Sequence, residues 1–157
     1  MSDAALTFPL PSEEDTTRLG RWFADHLGAG DVVALHGPIG AGKSHFARAL
    51  IRARLGRDED VPSPTFTLIQ TYGADVDLWH ADLYRLTHPD EVLELGLDDA
   101  FHSAICLIEW PERMGALLPA DAIHLRLIPD GDQRRAEVTP GPRPGLTEAL
   151  CRDWGAE

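Results

Sequence analysis

Apolar residues along this chain recur with two different periods, and the alternation between them predicts the order of elements. Leu19, Trp22, Phe23 and Leu27 fall at helical spacing. Ser12 can cap that helix, Glu13, Glu14 and Asp15 suit the positive end of its dipole, and Gly28 and Gly30 end it. Val32-Val33-Ala34-Leu35 is instead an unbroken apolar run, the pattern of a strand covered on both faces. A glycine-rich turn follows at once, and Phe46, Leu50 and Ile51 mark the helix beyond it. A short strand at Thr7 and Phe8 is expected to stop at Pro9, and further strands are predicted over 65–72 and 76–84.

Pro89 opens a short helix over 91–95 that Gly96 closes, and 104–108 is a second strand of the doubly covered type. Residues 122–128 and 134–138 predict an antiparallel pair joined at Asp130-Gly131-Asp132. The expected fold class is therefore α/β: a mixed, mostly parallel central sheet between helices, with antiparallel C-terminal strands. Residues 1–139 are expected to form one domain, and 140–157 a proline-rich linker and short helix packed on it or trailing from it.

Composition narrows the classes further. A chain of 157 residues can bury a core without staples. Its apolar runs reach about five residues, against the roughly 20 that span a bilayer. The acidic start, MSDAALTFPLPSEEDTT, lacks a basic-then-apolar signal, and Cys106 and Cys151 make no disulfide framework. A cytoplasmic setting is the expectation. Fourteen basic against 26 acidic residues give a formal net charge of −12, a balance that argues against nucleic-acid binding by this chain alone. It suits solubility, or docking on a basic partner. Thirteen of the fourteen basic residues are arginine, and the one lysine, Lys43, points to a specific chemical role.

That lysine lies in Gly37-Pro38-Ile39-Gly40-Ala41-Gly42-Lys43-Ser44, which matches the Walker A pattern G-x-x-x-x-G-K-[ST]. A buried strand before it and an amphipathic helix after it supply the context the motif needs. Glycines let successive N–H groups converge on phosphate oxygens, and the helix adds its own unpaired N–H groups. Lys43 would reach the β- and γ-phosphates, the Ser44 hydroxyl would ligate Mg²⁺, and His45 extends the nucleotide-binding segment. A P-loop NTPase-like three-layer fold is expected.

A phosphate loop needs a carboxylate for the metal, and Glu109 leaves the 104–108 strand at its carboxyl end, where ligands collect. In His80-Ala81-Asp82-Leu83-Tyr84-Arg85, strand alternation puts His80, Asp82 and Tyr84 on one face, read as wet. Asp82 there would position the attacking water or reach Mg²⁺ through water, although an ordinary solvated sheet face fits the spacing equally. The same alternation puts Arg85 on the face opposite Asp82. Ser63-Pro64-Thr65-Phe66 stands where nucleotide hydrolases place a switch segment, and equally where a proline turn would start a strand. Trp110 fits the nucleotide site, a partner surface or local packing. Cys106 reads as a buried hydrophobe, the seven histidines have no ligand spacing, and Arg134 and Arg135 read as an exposed hairpin pair rather than a phosphate cation.

Together the phosphate loop, Ser63-Pro64-Thr65-Phe66-Thr67-Leu68, His80-Ala81-Asp82-Leu83-Tyr84-Arg85-Leu86 and Ile108-Glu109-Trp110-Pro111-Glu112 resemble the TsaE (YjeE) family, ATPases of bacterial tRNA threonylcarbamoyladenosine synthesis. The resemblance spans about residues 8–138. It implies ATP or ADP with Mg²⁺ as cofactors, weak ATPase activity that rises in complex, and TsaB and TsaD as partners. In that family TsaD transfers the threonylcarbamoyl group to adenosine 37 of tRNA, so tRNA is met only through the complex. Carried over, Ser44 and Glu109 become Mg²⁺ ligands, Lys43 the phosphate clamp, Asp82 a residue for hydrolysis and Thr65 part of the switch-like segment. Ser12 and Glu13 become contacts to the nucleotide base. The family loop usually reads Gly-Asp-Leu-Gly-Ala-Gly-Lys-Thr, from which Pro38, Ile39 and Ser44 depart. Ser44 keeps the hydroxyl, whereas Pro38 removes one N–H and one carboxylate at the loop entrance, leaving the cradle from Gly40 onward.

Two other functions share a phosphate loop. A small-molecule kinase calls for an Arg-rich lid and an acceptor pocket, and the sequence shows neither. A nucleotide-dependent binding switch would keep its partner affinity without hydrolysis, and so without Asp82.

Overall fold

The computed structural model describes residues 5–38, 40–56, 61, 68–143 and 145–155. Its strands are β1 (Leu6–Leu10), β2 (Val32–His36), β3 (Ile69–Tyr72), β4 (Leu78–Asp82), β5 (Ile105–Glu109), β6 (Ile123–Asp130) and β7 (Gln133–Thr139). The helices are α1 (Glu13–His26), α2 (Lys43–Leu55), α3 (Glu91–Glu94), α4 (Leu97–Ala100) and α5 (Leu146–Trp154), with a 3₁₀ segment over Pro111–Leu117. The strands form one sheet in the order β1-β7-β6-β2-β5-β4-β3. Its central four, β6, β2, β5 and β4, are parallel. The outer strands pair antiparallel, β3 on β4, and β7 and β1 beyond β6. The fold is thus α/β with a mixed sheet, parallel at its centre.

Side-chain alternation divides the core into two layers. Val33, Leu35, Leu107 and Leu125 face α1, α2 and α5, where Leu19, Phe23, Phe46, Leu50, Leu146 and Leu150 are buried. Val32, Ala81, Cys106 and Ile108 face the other way, onto Val92, Leu97, Ala100 and Met114. Each fully buried Leu or Phe contributes roughly 1.5–3 kcal/mol against exposure, so the unbroken apolar runs of β2 and β5 anchor both layers at once. Arg54 of α2 donates to the carbonyls of Ala24 and Leu27 at 3.0 and 3.1 Å, tying the two helices beside the phosphate loop together. At the start of α1 the Ser12 N–H and hydroxyl both donate to the Asp15 carboxylate, at 3.1 and 2.9 Å.

Two elements differ from the sequence pattern. β1 runs through Pro9 to Leu10, because it is the outermost strand and Pro needs no ladder partner for its missing N–H on an open edge. β4 ends at Asp82 rather than at residue 84, and the chain turns so that the Leu86 N–H meets the Leu83 carbonyl at 3.0 Å. α5 lies against β1, with Trp154 and Phe8 ring centroids 5.2 Å apart. Arg143 pairs with Asp31 and donates to the His26 carbonyl, so the proline-rich stretch before α5 is held on the body. Of the strand expected over 65–72, residues 65–67 lie outside the described residues, and β3 accounts for the rest. Among the described residues no helix is long and apolar enough to cross a membrane.

Candidate nucleotide site

The site forms where the parallel strands end. β2 stops at His36 and the chain turns at Gly37, whose φ is +144° and where a Cβ would stand 2.7 Å from the Leu127 carbonyl oxygen; only glycine fits. Inside the turn the Ala41 N–H donates to the Pro38 carbonyl at 3.1 Å. Gly42, at φ 101°, is the N-cap of α2. Its unpaired first N–H groups and positive dipole end make that terminus suited to an anion.

Lys43 opens α2, and its side chain is buried, with Nζ donating to the Gly37 carbonyl at 2.7 Å. The ammonium lies 3.6 Å from the centroid of the Trp110 indole. Trp110 takes the left-handed conformation, φ 59° and ψ 51°, immediately after β5. For a bulky residue that conformation is strained, and it turns the indole back over the lysine. Burial pulls the Lys43 pKa below its ordinary value, and Glu109, Asp82 and Glu112 oppose the shift by favouring the charged form.

The carboxylates come from adjacent strands. Asp82 and Glu109 are paired in register at the carboxyl ends of β4 and β5, and both are buried. The Ser44 hydroxyl lies 3.2 and 3.3 Å from the two Glu109 oxygens. His80 Nε2 lies 2.7 Å from Glu109 Oε2; with its hydrogen on Nε2 it donates to the carboxylate. Its other nitrogen, Nδ1, is buried with no hydrogen-bond partner among the described residues, an arrangement that costs roughly 1–3 kcal/mol. Asp82 Oδ1 accepts from the Tyr84 N–H at 3.1 Å.

A cavity of about 440 Å³ opens between these groups, walled by Gly40, Gly42, Arg48, Asp82, Arg85 and Glu109 among others. Lys43, Ser44, His45, Tyr84 and Trp110 also reach it. Hydroxyl and carboxylate oxygens are hard donors, which suits Mg²⁺. Among the described residues no group of three or more His, Cys, Asp and Glu could hold a metal.

Several expectations need correction. The face of His80 and Asp82 is not wet: their exposures are 0% and 6%. Arg85 lies on the same cavity as Asp82, since β4 stops at Asp82 and the alternation that separated them stops with it. Arg134 is not merely an exposed hairpin residue. Its Nη2 donates to the Gly40 carbonyl at 3.1 Å, and a Cβ on Gly42 would stand 3.4 Å from its Nε, because β7 folds back beside the loop. Trp110, left open between the site, a partner surface and packing, lines the cavity and also packs against the second core layer. His45 reaches the cavity edge with Nε2 2.7 Å from the Thr17 hydroxyl. Glu13 stands exposed at the start of α1 and does not line the cavity. Ile39 and the segment Ser63-Pro64-Thr65-Phe66-Thr67 lie outside the described residues.

The chain is similar to members of one family along most of its length. The model of the family described as threonylcarbamoyl adenosine biosynthesis protein TsaE matches residues 10–137. A protein of Rickettsia conorii named tRNA threonylcarbamoyladenosine biosynthesis protein TsaE is 42% identical over 147 residues, 92% of this chain and 84% of that protein. One of the same name from Bacillus subtilis is 36% identical over 142 residues, 89% of this chain and 87% of its own length. The crystal structure of Bacillus subtilis YdiB superposes with a TM-score of 0.76 at 29% identity, covering 96% of this chain and 94% of that one.

Proposed function

The chain belongs to the TsaE family of threonylcarbamoyl adenosine biosynthesis proteins, and from that premise we propose that it is the Mg²⁺-dependent, ATP-hydrolysing subunit of tRNA N6-threonylcarbamoyladenosine formation. On this reading it works in the cytoplasm with TsaB and TsaD and meets tRNA only through them. One observation carries the proposal: Lys43, Ser44, Asp82 and Glu109, far apart in sequence, converge on a single cavity at the N-terminus of α2.

Each residue then has a task. Lys43 exchanges the Gly37 carbonyl for the β- and γ-phosphate oxygens, a short swing of a side chain already held at the loop. The Ser44 hydroxyl and the Glu109 carboxylate would hold Mg²⁺, which would supply positive charge against the phosphates. Asp82, fixed by the Tyr84 N–H, orients the water that attacks the γ-phosphorus in line with the leaving oxygen. Arg85 in the cavity wall and Arg134 beside Gly40 bring positive charge toward the bound phosphates. Catalysis of this kind is positioning and charge stabilisation rather than covalent chemistry.

Phosphate release from Mg-ATP by the pure protein, alone and with TsaB and TsaD, tests the reading, with Lys43→Ala as control. The expected result is slow release alone, a rise with both partners, and loss of both in the variant. Tight ATP binding without stimulated release would instead support a binding switch.

A further inference from the structure

His80 is a polar side chain in an apolar layer of the sheet. It points from β4 into the helix-covered core layer, its register neighbour on β5 is Leu107, and it is fully buried. Its Nδ1 has no partner among the described residues. A buried polar side chain half satisfied in this way destabilises the layer it sits in. What it obtains in return is one contact, 2.7 Å from Nε2 to Glu109 Oε2. The Ser44 hydroxyl lies against the same carboxylate. Glu109 is thus gripped from the core side by His80 and from the loop side by Ser44.

We infer that His80 is a positioning residue for Mg²⁺ binding: its Nε2–H fixes one oxygen of Glu109, so that the carboxylate stands ready beside the Ser44 hydroxyl. A carboxylate on a single-bonded stem has free torsions, and an outer partner that removes them raises affinity for the ion without touching it. The inference rests on the assignment of Glu109 to Mg²⁺, and the experiment below separates the two.

The test is ADP binding by calorimetry over a series of MgCl₂ concentrations, with thermal unfolding of each variant. His80→Leu removes the donor and the orphaned nitrogen together. Loss of the orphaned nitrogen offsets loss of the hydrogen bond to Glu109, so it is expected to unfold within a few degrees of the parent. It should bind ADP equally well without Mg²⁺, and need about tenfold more Mg²⁺ for half of the metal-dependent gain in affinity. His80→Gln can return an N–H to the same oxygen and is expected to recover most of that loss. In a Glu109→Ala background His80→Leu should add less than twofold. A His80→Leu protein whose Mg²⁺ requirement stays within twofold of the parent, while Glu109→Ala abolishes the metal effect, overturns the inference alone. Loss of Mg²⁺-free ADP binding in step with the metal effect, or equal loss in His80→Gln and His80→Leu, overturns it too, as the signature of a structural role. If Glu109→Ala leaves the metal dependence intact, the assignment of Glu109 falls and the inference with it.

Discussion

Lys43 and Asp82 line one cavity, and their removal is expected to fail at different steps. Asp82→Asn keeps an oxygen to accept the Tyr84 N–H, so the β4 turn survives. Mg-ADP binding should stay within about threefold of the parent, while single-turnover phosphate release falls by roughly 10²–10⁴, the usual worth of a positioned acid–base group. Equal loss of both would remove Asp82 from the hydrolytic step. His36 makes a second residue-scale prediction. Its Nε2 lies 2.9 Å from His124 Nδ1, and its pKa is lowered to about 4 by burial first, then by Arg126, His124 and Lys43, with Glu112 opposing. The unfolded chain, where His36 titrates near 6.5, therefore takes up the proton first as pH falls. Stability is whole above pH 6.5 and declines toward pH 4 from this cause. His36→Asn should flatten the fall in melting temperature across that window, because Asn keeps a hydrogen-bonding group and does not titrate.

At the scale of elements, what was legible in the sequence was whatever short-range pattern decides. The loop from Gly37 to Ser44 carries its own instructions, since a buried strand, a glycine turn and a helix N-terminus follow one another within a few residues. The place of Glu109 at the end of its strand was legible for the same reason, since it follows an unbroken apolar run. Arg85 was misplaced because alternation holds only while a strand lasts, and β4 ends three residues before it. Arg134 was discounted because nothing local shows that β7 returns beside Gly40. Nor does local pattern show that α5 closes on β1 through Trp154, which packs on Phe8 and lies 4.2 Å beneath the Arg18 guanidinium. That last contact is testable by itself. Trp154→Ala should cost about 2–4 kcal/mol in urea unfolding, less than a fully buried aromatic because the ring is partly exposed. ADP binding should be unchanged, because α5 contributes nothing to the cavity. A large loss of ADP affinity would tie α5 to the site.

Taken whole, the molecule carries a net charge of −12, yet arginines 48, 85 and 134 gather around one cavity and its loop. Positive potential focused in a cleft attracts a compact anion such as a nucleotide polyphosphate. A tRNA backbone is a different ligand. It needs many phosphate contacts spread over a wide surface, and their strength is read in the salt dependence of binding. An acidic exterior repels most of such a chain while leaving the cavity free for one small anion. We therefore expect no sub-micromolar tRNA complex with the isolated protein at physiological ionic strength, measured by fluorescence anisotropy with labelled tRNA. ADP, measured under the same conditions, should bind. A tight tRNA complex that weakens steeply with added salt would show that the basic cluster extends beyond the cavity to an RNA surface. It would also remove the need for partners to bring the tRNA.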